Sequence, residues 1–305
     1  MSFLDALRRK PQTTAAPDFG GFWTDEPHAQ QLALDLQAGS GVTPEEAQRL
    51  AHWIEHGYVV IEGALPAAEV HALQAAIDGA IDRSERPMTY WDADGKHQVT
   101  ARRDKLKAAE CKVIDVHAHL KQVQQSIFAP KIARFMELVM RSKAIAFQTL
   151  YFDYGSEQPV HQDTAFVYVE PPLEFMASWI ALEDIQEGSG ELVYYPGSQK
   201  LPHELFGNPP SKALLPGDPA SGTYSAQLAQ RCEAMGLHLQ HFRPRRGDVL
   251  MWAADLVHGG SPRLRDQSRR SLVTHYCPAN RKPPYAQAHD KPQLLDSGHF
   301  VLSQT

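Results

Sequence analysis

Cysteine is scarce in this chain of 305 residues, and the three present, Cys111, Cys232 and Cys277, are far apart and odd in number. They form no disulfide framework and no paired-cysteine metal site, so a reducing, cytoplasmic setting is the expectation. Long apolar runs are also missing. None reaches the roughly 18 residues that a membrane-spanning helix needs, so no span is expected. Residues 1–10 carry Arg8 and Arg9 but no apolar stretch ahead of a small-residue cleavage site, so a secretory signal is not expected either. The ending Leu302-Ser303-Gln304-Thr305 is not a peroxisomal address. Charge of either sign is nearly balanced. Lys plus Arg is 30, Asp plus Glu is 36, and the net charge is −6. That leaves no electrostatic footprint for nucleic acid or an anionic membrane. The short basic clusters at Arg102-Arg103 and at 243–246 read mostly as solvated turns, with a local anion site as the alternative.

What is present is 43% hydrophobic content, enough for one sizeable core. Residues 1–42 read as an N-terminal arm with at most one short helix, anchored by Phe22 and Trp23. A helical part follows over 43–143. Thr43 is a good N-cap, Pro44 suits the first helical position, and Glu46 completes a capping box. The helix is expected to run to His56 and stop at Gly57. Residues 58–61 then read as a buried strand. A second helix is expected over 66–82, with Val70, Leu73, Ile77 and Ile81 on one face. Residues 84–110 form a long polar connection with Asp94-Gly95 as a turn, and a further helix is expected across 119–142.

From Ala144 the texture changes to short apolar runs separated by Gly and Pro. Strands are expected at 146–153, 165–169, 176–182, 191–195, 238–242, 249–252 and 271–277. Many short strands with regular turns imply a sandwich or barrel over 144–280, followed by a tail over 281–305. Residues 201–237 interrupt the pattern. They are Pro-rich, then helical at about 225–235.

The only His-x-Asp in the chain is His161-Gln162-Asp163. On a strand, residues two apart point to the same side, so one imidazole and one carboxylate can reach a single metal. His258, followed by Gly259 and Gly260, is the best third ligand, because glycines allow close approach of a bulky group. Two His and one carboxylate form the facial triad of non-haem Fe(II) oxygenases. Three protein ligands leave three positions, two for a bidentate 2-oxo acid and one for O₂. Arg269 lies eleven residues after His258. An always-charged guanidinium at the end of a narrow pocket suits the distal carboxylate of 2-oxoglutarate. Arg270 points the other way on a strand, and periodicity alone does not decide between the two. His117 and His119 form a His-x-His whose only nearby carboxylate is Asp115, which favours a structural or substrate-facing role over metal binding.

These residues resemble the phytanoyl-CoA dioxygenase family of Fe(II)/2-oxoglutarate oxygenases. The likeness spans residues 57–276 and rests on several motifs in family order. They are Gly57-Tyr58-Val59-Val60, the stretch 158–163 ending in His161-Gln162-Asp163, the stretch 179–184 starting at Trp179, and 188–192. Then come Pro196-Gly197-Ser198-Gln199, the stretch 247–252, and His258-Gly259-Gly260 through Arg269-Arg270. The resemblance implies a mainly β fold with flanking helices, a double-stranded β-helix of the jelly-roll, cupin-like type. It implies Fe(II), 2-oxoglutarate and O₂ as cofactors, with His161, Asp163 and His258 on the metal. It supports Arg269 as the oxoglutarate anchor and places Trp179 on a strand lining the cosubstrate pocket, with core packing as the alternative. It puts Gln148 on the strand leading to His161, where a polar residue in an apolar strand needs a partner, and the oxoglutarate carboxylate is the expected one. It also points to Thr164 as a residue bonded to the metal-site surroundings. Halogenating relatives replace the carboxylate ligand, so the presence of Asp163 favours hydroxylation or a related oxidation of a small-molecule substrate.

The reading from another class is a jelly-roll binding or regulatory protein whose metal is structural. The substrate is expected to enter past 84–110 or 201–237. The first carries Tyr90, Trp91, His97, Arg102, Arg103 and Lys105 and is the favoured lid.

Overall fold

The computed structural model describes residues 18–83, 88–92, 95, 97–98, 103–281, 283 and 291–303. The strands are β1 (Tyr58–Ile61), β2 (Tyr90–Trp91), β3 (His97–Gln98), β4 (Lys112–Ile114), β5 (Ala144–Phe152), β6 (Met176–Ala181) and β7 (Leu192–Tyr194). After them come β8 (Gln240–Phe242), β9 (Val249–Ala253), β10 (His258–Gly260), β11 (Ser271–Pro278), β12 (Gln293–Leu294) and β13 (Phe300–Val301). The larger sheet runs β1-β9-β6-β11-β5-β4-β2-β3, with β13 also on β5 and β12 on β13. The smaller runs β10-β7-β8. Apart from the parallel pair β5 and β13, the pairings are antiparallel. Two facing sheets of this kind with helices on one side make the double-stranded β-helix.

The larger sheet is covered on both faces, and the sequence shows why. Strands such as Met176–Ala181 are apolar at nearly every position and buried at every one, as expected for a sheet with no solvated face. On the inner face Phe152, Trp179, Leu250, Trp252 and Val273 pack against Leu192, Tyr194 and Phe242 of the smaller sheet. On the outer face Tyr151, Met176, Ile180, Met251 and Leu272 join Leu50, Trp53, Val70, Leu73, Ile77 and Phe135 from the helices.

The helix Pro44–His56 carries the expected caps. Glu46 N donates to Thr43 Oγ1 at 3.2 Å and Thr43 N donates to Glu46 Oε2 at 2.8 Å. Gly57 sits at φ 75°, and a Cβ there would come within 2.5 Å of the Gln199 side chain. The helix Ala67–Arg83 buries Val70, Leu73, Ile77 and Ile81 as its periodicity predicts. Ahead of these, Ala29–Ala38 is helical, Phe22 is buried, and Trp23 Nε1 donates to Leu138 O at 2.9 Å.

Two expectations need correction. The single helix over 119–142 is two, Lys121–Ile127 and Pro130–Met140. Pro130 lacks an N–H and drives Ala129 to an extended ψ of 145°, which ends the first helix before the second begins. Residues 165–169 do not form a strand. Asp163–Ala165 is a 3₁₀ turn in which the Asp163 carbonyl accepts from Phe166 N at 2.8 Å and Val167 N at 2.7 Å. Those local bonds use the groups a ladder would need.

The two long connections differ. Residues 201–237 pack on a cluster of their own, in which Leu201, Phe206, Leu214, Tyr224, Leu228 and Cys232 meet Ala165 and Val257. The expected helix there is Tyr224–Ala234. Of the favoured lid, residues 84–87, 93–94, 96 and 99–102 lie outside the described residues, Asp94 and Arg102 among them, and for His97 only the backbone is described. Arg103, in the described part, is bound to Asp78, Asp82 and Asp153.

Candidate metal centre

His161 and His258 are brought together by the backbone. His161 N donates to His258 O at 2.8 Å and His258 N donates to His161 O at 2.9 Å, a reciprocal bridge between β10 and the chain leading into the 3₁₀ turn. This bridge needs close packing beside it. A Cβ on Gly259 would come within 2.8 Å of Gln158 O, and one on Gly260 within 2.7 Å of Ser156 Oγ. The expected strand geometry holds for His161 only at this bridge, and Asp163 reaches the same point from the turn.

Each ring is oriented by a carbonyl two residues earlier. His161 Nδ1 lies 2.9 Å from Pro159 O, and His258 Nδ1 lies 2.9 Å from Leu256 O. A carbonyl only accepts, so Nδ1 carries the proton and Nε2 presents its lone pair. The two Nε2 atoms stand 3.7 Å and 3.6 Å from Asp163 Oδ1. Among the described residues this is the one cluster of three His, Cys, Asp or Glu ligand atoms within 4.8 Å of one another, and all three residues are buried. Burial and the neighbouring His258 push the His161 imidazole down to about 4. Burial alone would raise the Asp163 carboxyl, but His258, His275 and His161 around it hold it well below the usual carboxylate range. The site is therefore a neutral imidazole and an ionised carboxylate at neutral pH, which is the protonation that a divalent cation requires.

Arg269 lines the same cavity and is 2% exposed. Nη1 donates to Ser271 Oγ at 2.9 Å, while Nε is buried with no partner among the described residues. Its guanidinium lies 5.3 Å from the Trp179 ring centroid and 5.6 Å from that of Phe152. Burial pushes its pKa down to about 10, against the pull of Glu183 and Glu191. Arg270 faces the other side and is bound to Asp78 and Asp153.

The other expected residues separate. Trp179 lines the cavity and is also core, edge-on to Phe242 at 5.6 Å. Gln148 is half-buried on β5, opposite His275. Leu150 and Phe152, further along the same face, line the cavity and Gln148 does not. The Thr164 hydroxyl is turned away to Asp255, donating to Oδ1 at 2.5 Å. Asp255 also holds Lys212, and its carbonyl accepts from Gln162 Nε2 at 2.7 Å. Thr164 thus braces the turn from behind. His117 is fully buried between Thr149 Oγ1 at 2.9 Å and Leu302 O at 3.0 Å, a structural role.

Three residues escaped the sequence reading. His275 lines the cavity, its Nε2 3.4 Å from Asp163 Oδ2. Its signal was legible, because on β11 it has the same parity as inward-facing Val273. Trp252 Nε1 donates to Asp163 Oδ2 at 2.8 Å. Lys112, half-buried on β4, has its pKa lowered by burial, forms no side-chain hydrogen bond or ion pair among the described residues, and lies near enough to act on His161.

The donor set of two imidazole nitrogens and one carboxylate oxygen fits Fe(II) in an oxygenase site. The orphaned Nε of a buried guanidinium fits an incoming carboxylate.

Comparison with known proteins agrees with this arrangement. A family model described as phytanoyl-CoA dioxygenase matches residues 53–271. "Phytanoyl-CoA dioxygenase domain-containing protein 1" of Bos taurus is 23% identical over 282 residues, covering 77% of this chain and 89% of that protein. The Mus musculus protein of that name is 25% identical over 173 residues, 52% of this chain, and the match spans about half of that relative's length, 54%. Among solved structures, the epimerase SnoN, in complex with Fe3+, alpha ketoglutarate and nogalamycin RO, superposes with a TM-score of 0.60 at 19% identity, covering 85% of this chain and 98% of that one. EctD from S. alaskensis with bound Fe gives 0.54 at 15% identity, covering 78% and 77%. At these identities the likeness to the solved structures is one of fold.

Proposed function

The chain belongs to the phytanoyl-CoA dioxygenase family, and from that premise we propose that it is an Fe(II)- and 2-oxoglutarate-dependent dioxygenase that hydroxylates a small-molecule substrate. The observation that carries this reading is the buried His161–Asp163–His258 cluster in one cavity with a buried Arg269 whose Nε has no partner among the described residues.

In this reading His161, Asp163 and His258 hold the metal. When bound, Fe(II) with 2-oxoglutarate and O₂ supplies oxidation of a C–H bond, the oxo acid leaving as succinate and CO₂. The backbone carbonyls of Pro159 and Leu256 keep both Nδ1 atoms protonated, so each Nε2 stays available without tautomer exchange. Arg269 binds the distal carboxylate of the oxo acid, and Trp179 and Phe152 flank that cation and keep water from it. Leu150, Leu192 and Val273 add apolar wall to the cavity, which Ser156 and Gln158 also line. Phe166, 53% exposed with its ring 5.6 Å from that of His161, stands on the solvent side, where a substrate would approach. Thr164 supports this site from outside the cavity through its bond to Asp255, whereas Gln148 does not line the cavity. Among the described residues no helix is long and apolar enough to cross a membrane. Three buried, unpaired cysteines support a reducing compartment such as the cytoplasm.

The test is succinate release in the presence of Fe(II), 2-oxoglutarate and O₂, measured across a panel of small molecules. A slow basal release that requires both iron and oxo acid, and that one compound accelerates, is the expected result. Tight iron retention with no binding of the oxo acid would contradict it and leave a structural metal in a binding protein.

A further inference from the structure

The two oxygens of Asp163 have different surroundings. Oδ1 faces the imidazoles, 3.7 Å from His161 Nε2 and 3.6 Å from His258 Nε2. Oδ2 is turned to the larger sheet, where Trp252 Nε1 donates to it at 2.8 Å and His275 Nε2 approaches to 3.4 Å. Both of these groups are rigidly placed. Trp252 sits on β9 between Tyr58 of β1 and Ala177 of β6, is 1% exposed, and has its ring 4.8 Å from that of His258. His275 is 2% exposed, with Phe147 and Phe175 each 6.1 Å away, ring to ring. Neither has a better use for its N–H. An indole has one donor, and no ring nitrogen of His275 has a well-aligned hydrogen bond among the described residues.

A carboxylate beside a divalent cation can bind through one oxygen or through both. On an octahedral ion with two imidazoles, one-oxygen binding leaves three positions, and two-oxygen binding leaves only two. A bidentate 2-oxo acid would fill both, and O₂ would have none. We propose that Trp252 and His275 are positioning residues that occupy Asp163 Oδ2 and so confine the carboxylate to one-oxygen ligation, keeping open the positions that the oxo acid and O₂ need. This rests on the reading of the site as an iron and 2-oxoglutarate centre.

Confinement of the carboxylate to one oxygen separates two affinities that a merely structural role would move together. Freed from its two donors, Oδ2 can swing to the metal. Metal binding then holds or strengthens, while the oxo acid has to displace an oxygen and binds less well. The experiment uses the full chain without oxygen. Co(II) uptake is followed by visible absorption, and 2-oxoglutarate binding to the Co(II)-loaded protein by calorimetry. The variants are Trp252→Phe, which keeps the ring and deletes the donor, His275→Leu, which deletes the donor, and His275→Gln, whose Nε2 can replace it. The expected result is Co(II) affinity at or above wild type in all three. Oxo-acid affinity should fall about tenfold in Trp252→Phe and His275→Leu and return most of the way in His275→Gln. Unchanged oxo-acid affinity would overturn the proposal. So would parallel loss of Co(II) and oxo-acid affinity with no recovery in His275→Gln. If one substitution unfolds the chain, the other carries the same comparison. If the wild-type protein itself takes up no Co(II), the metal-centre reading is what fails.

Discussion

Arg269 and Arg270 are neighbours in sequence and face opposite regions of the molecule. On the inner side, Arg269 is buried, and its Nε has no partner among the described residues. On the outer side, Arg270 reaches Asp78 at 2.6 Å and Asp153 at 3.2 Å, and Arg103 reaches both at 2.9 Å as well. The same chemistry is left unsaturated in one place and saturated in the other. A buried polar group without a partner is costly, on the order of 1–3 kcal/mol, so such groups persist where a ligand completes them. A closed ion network has nothing left to offer a ligand, and its role is to tie the helix Ala67–Arg83 and residue 103 to the ends of β5 and β11.

The sharpest way to break this contrast is at the metal end. His161→Ala, Asp163→Ala and His258→Ala should each abolish substrate-coupled succinate release while leaving a cooperative thermal transition, because each removes a ligand and relieves crowding among buried polar groups. Near-wild-type release from any of the three at saturating iron would remove that residue from the ligand set. On the outer side the opposite pattern is expected. Arg270→Ala should lower stability by about 1–3 kcal/mol, read as a drop in melting temperature, because Asp153 keeps only part of its compensation at 4% exposure. An unchanged melting temperature would mean that the network is not structural.

A smaller effect sharpens the same point through pH. Burial favours the neutral form of Asp78, but the guanidiniums of Arg270 and Arg103 outweigh it and hold the carboxyl below its ordinary value. A group whose folded pKa is depressed stabilises fully above its unfolded value, roughly pH 4, and loses that contribution as pH falls through the folded value. The melting temperature of wild type should therefore fall more steeply below about pH 4 than that of Asp78→Asn, which starts lower at neutral pH. Parallel acid limbs would show that Asp78 is not held this way.

Much of this was legible in the sequence because its causes are local. The capping box at Thr43 and Glu46, the glycine stop at Gly57 and the apolar stripe Val70, Leu73, Ile77 and Ile81 are short-range signals, and each appears in the fold. That Arg269 and Arg270 face opposite ways was legible as well, but periodicity did not tell which of the two faces inward. What was not legible depends on long-range contacts or on backbone bonding that a hydrophobic pattern does not record. Pro130 divides a stretch whose apolar spacing is continuous. The turn at Asp163 replaces a strand because its carbonyl is used locally. Trp252 reads as core, and only the approach of β9 to the 3₁₀ turn gives its N–H a carboxylate. Thr164 sits beside a metal ligand in sequence, yet its hydroxyl is directed to Asp255 on a different segment.

The most direct test of the central claim is anaerobic binding of 2-oxoglutarate to the Fe(II)-loaded protein, titrated through its weak visible charge-transfer absorption in wild type, Arg269→Ala and Arg270→Ala. If the inner guanidinium is the anchor, Arg269→Ala loses about 2–4 kcal/mol, roughly 30- to 1,000-fold in affinity, while Arg270→Ala stays close to wild type. Equal losses in the two variants, or a larger loss in Arg270→Ala, would contradict the account.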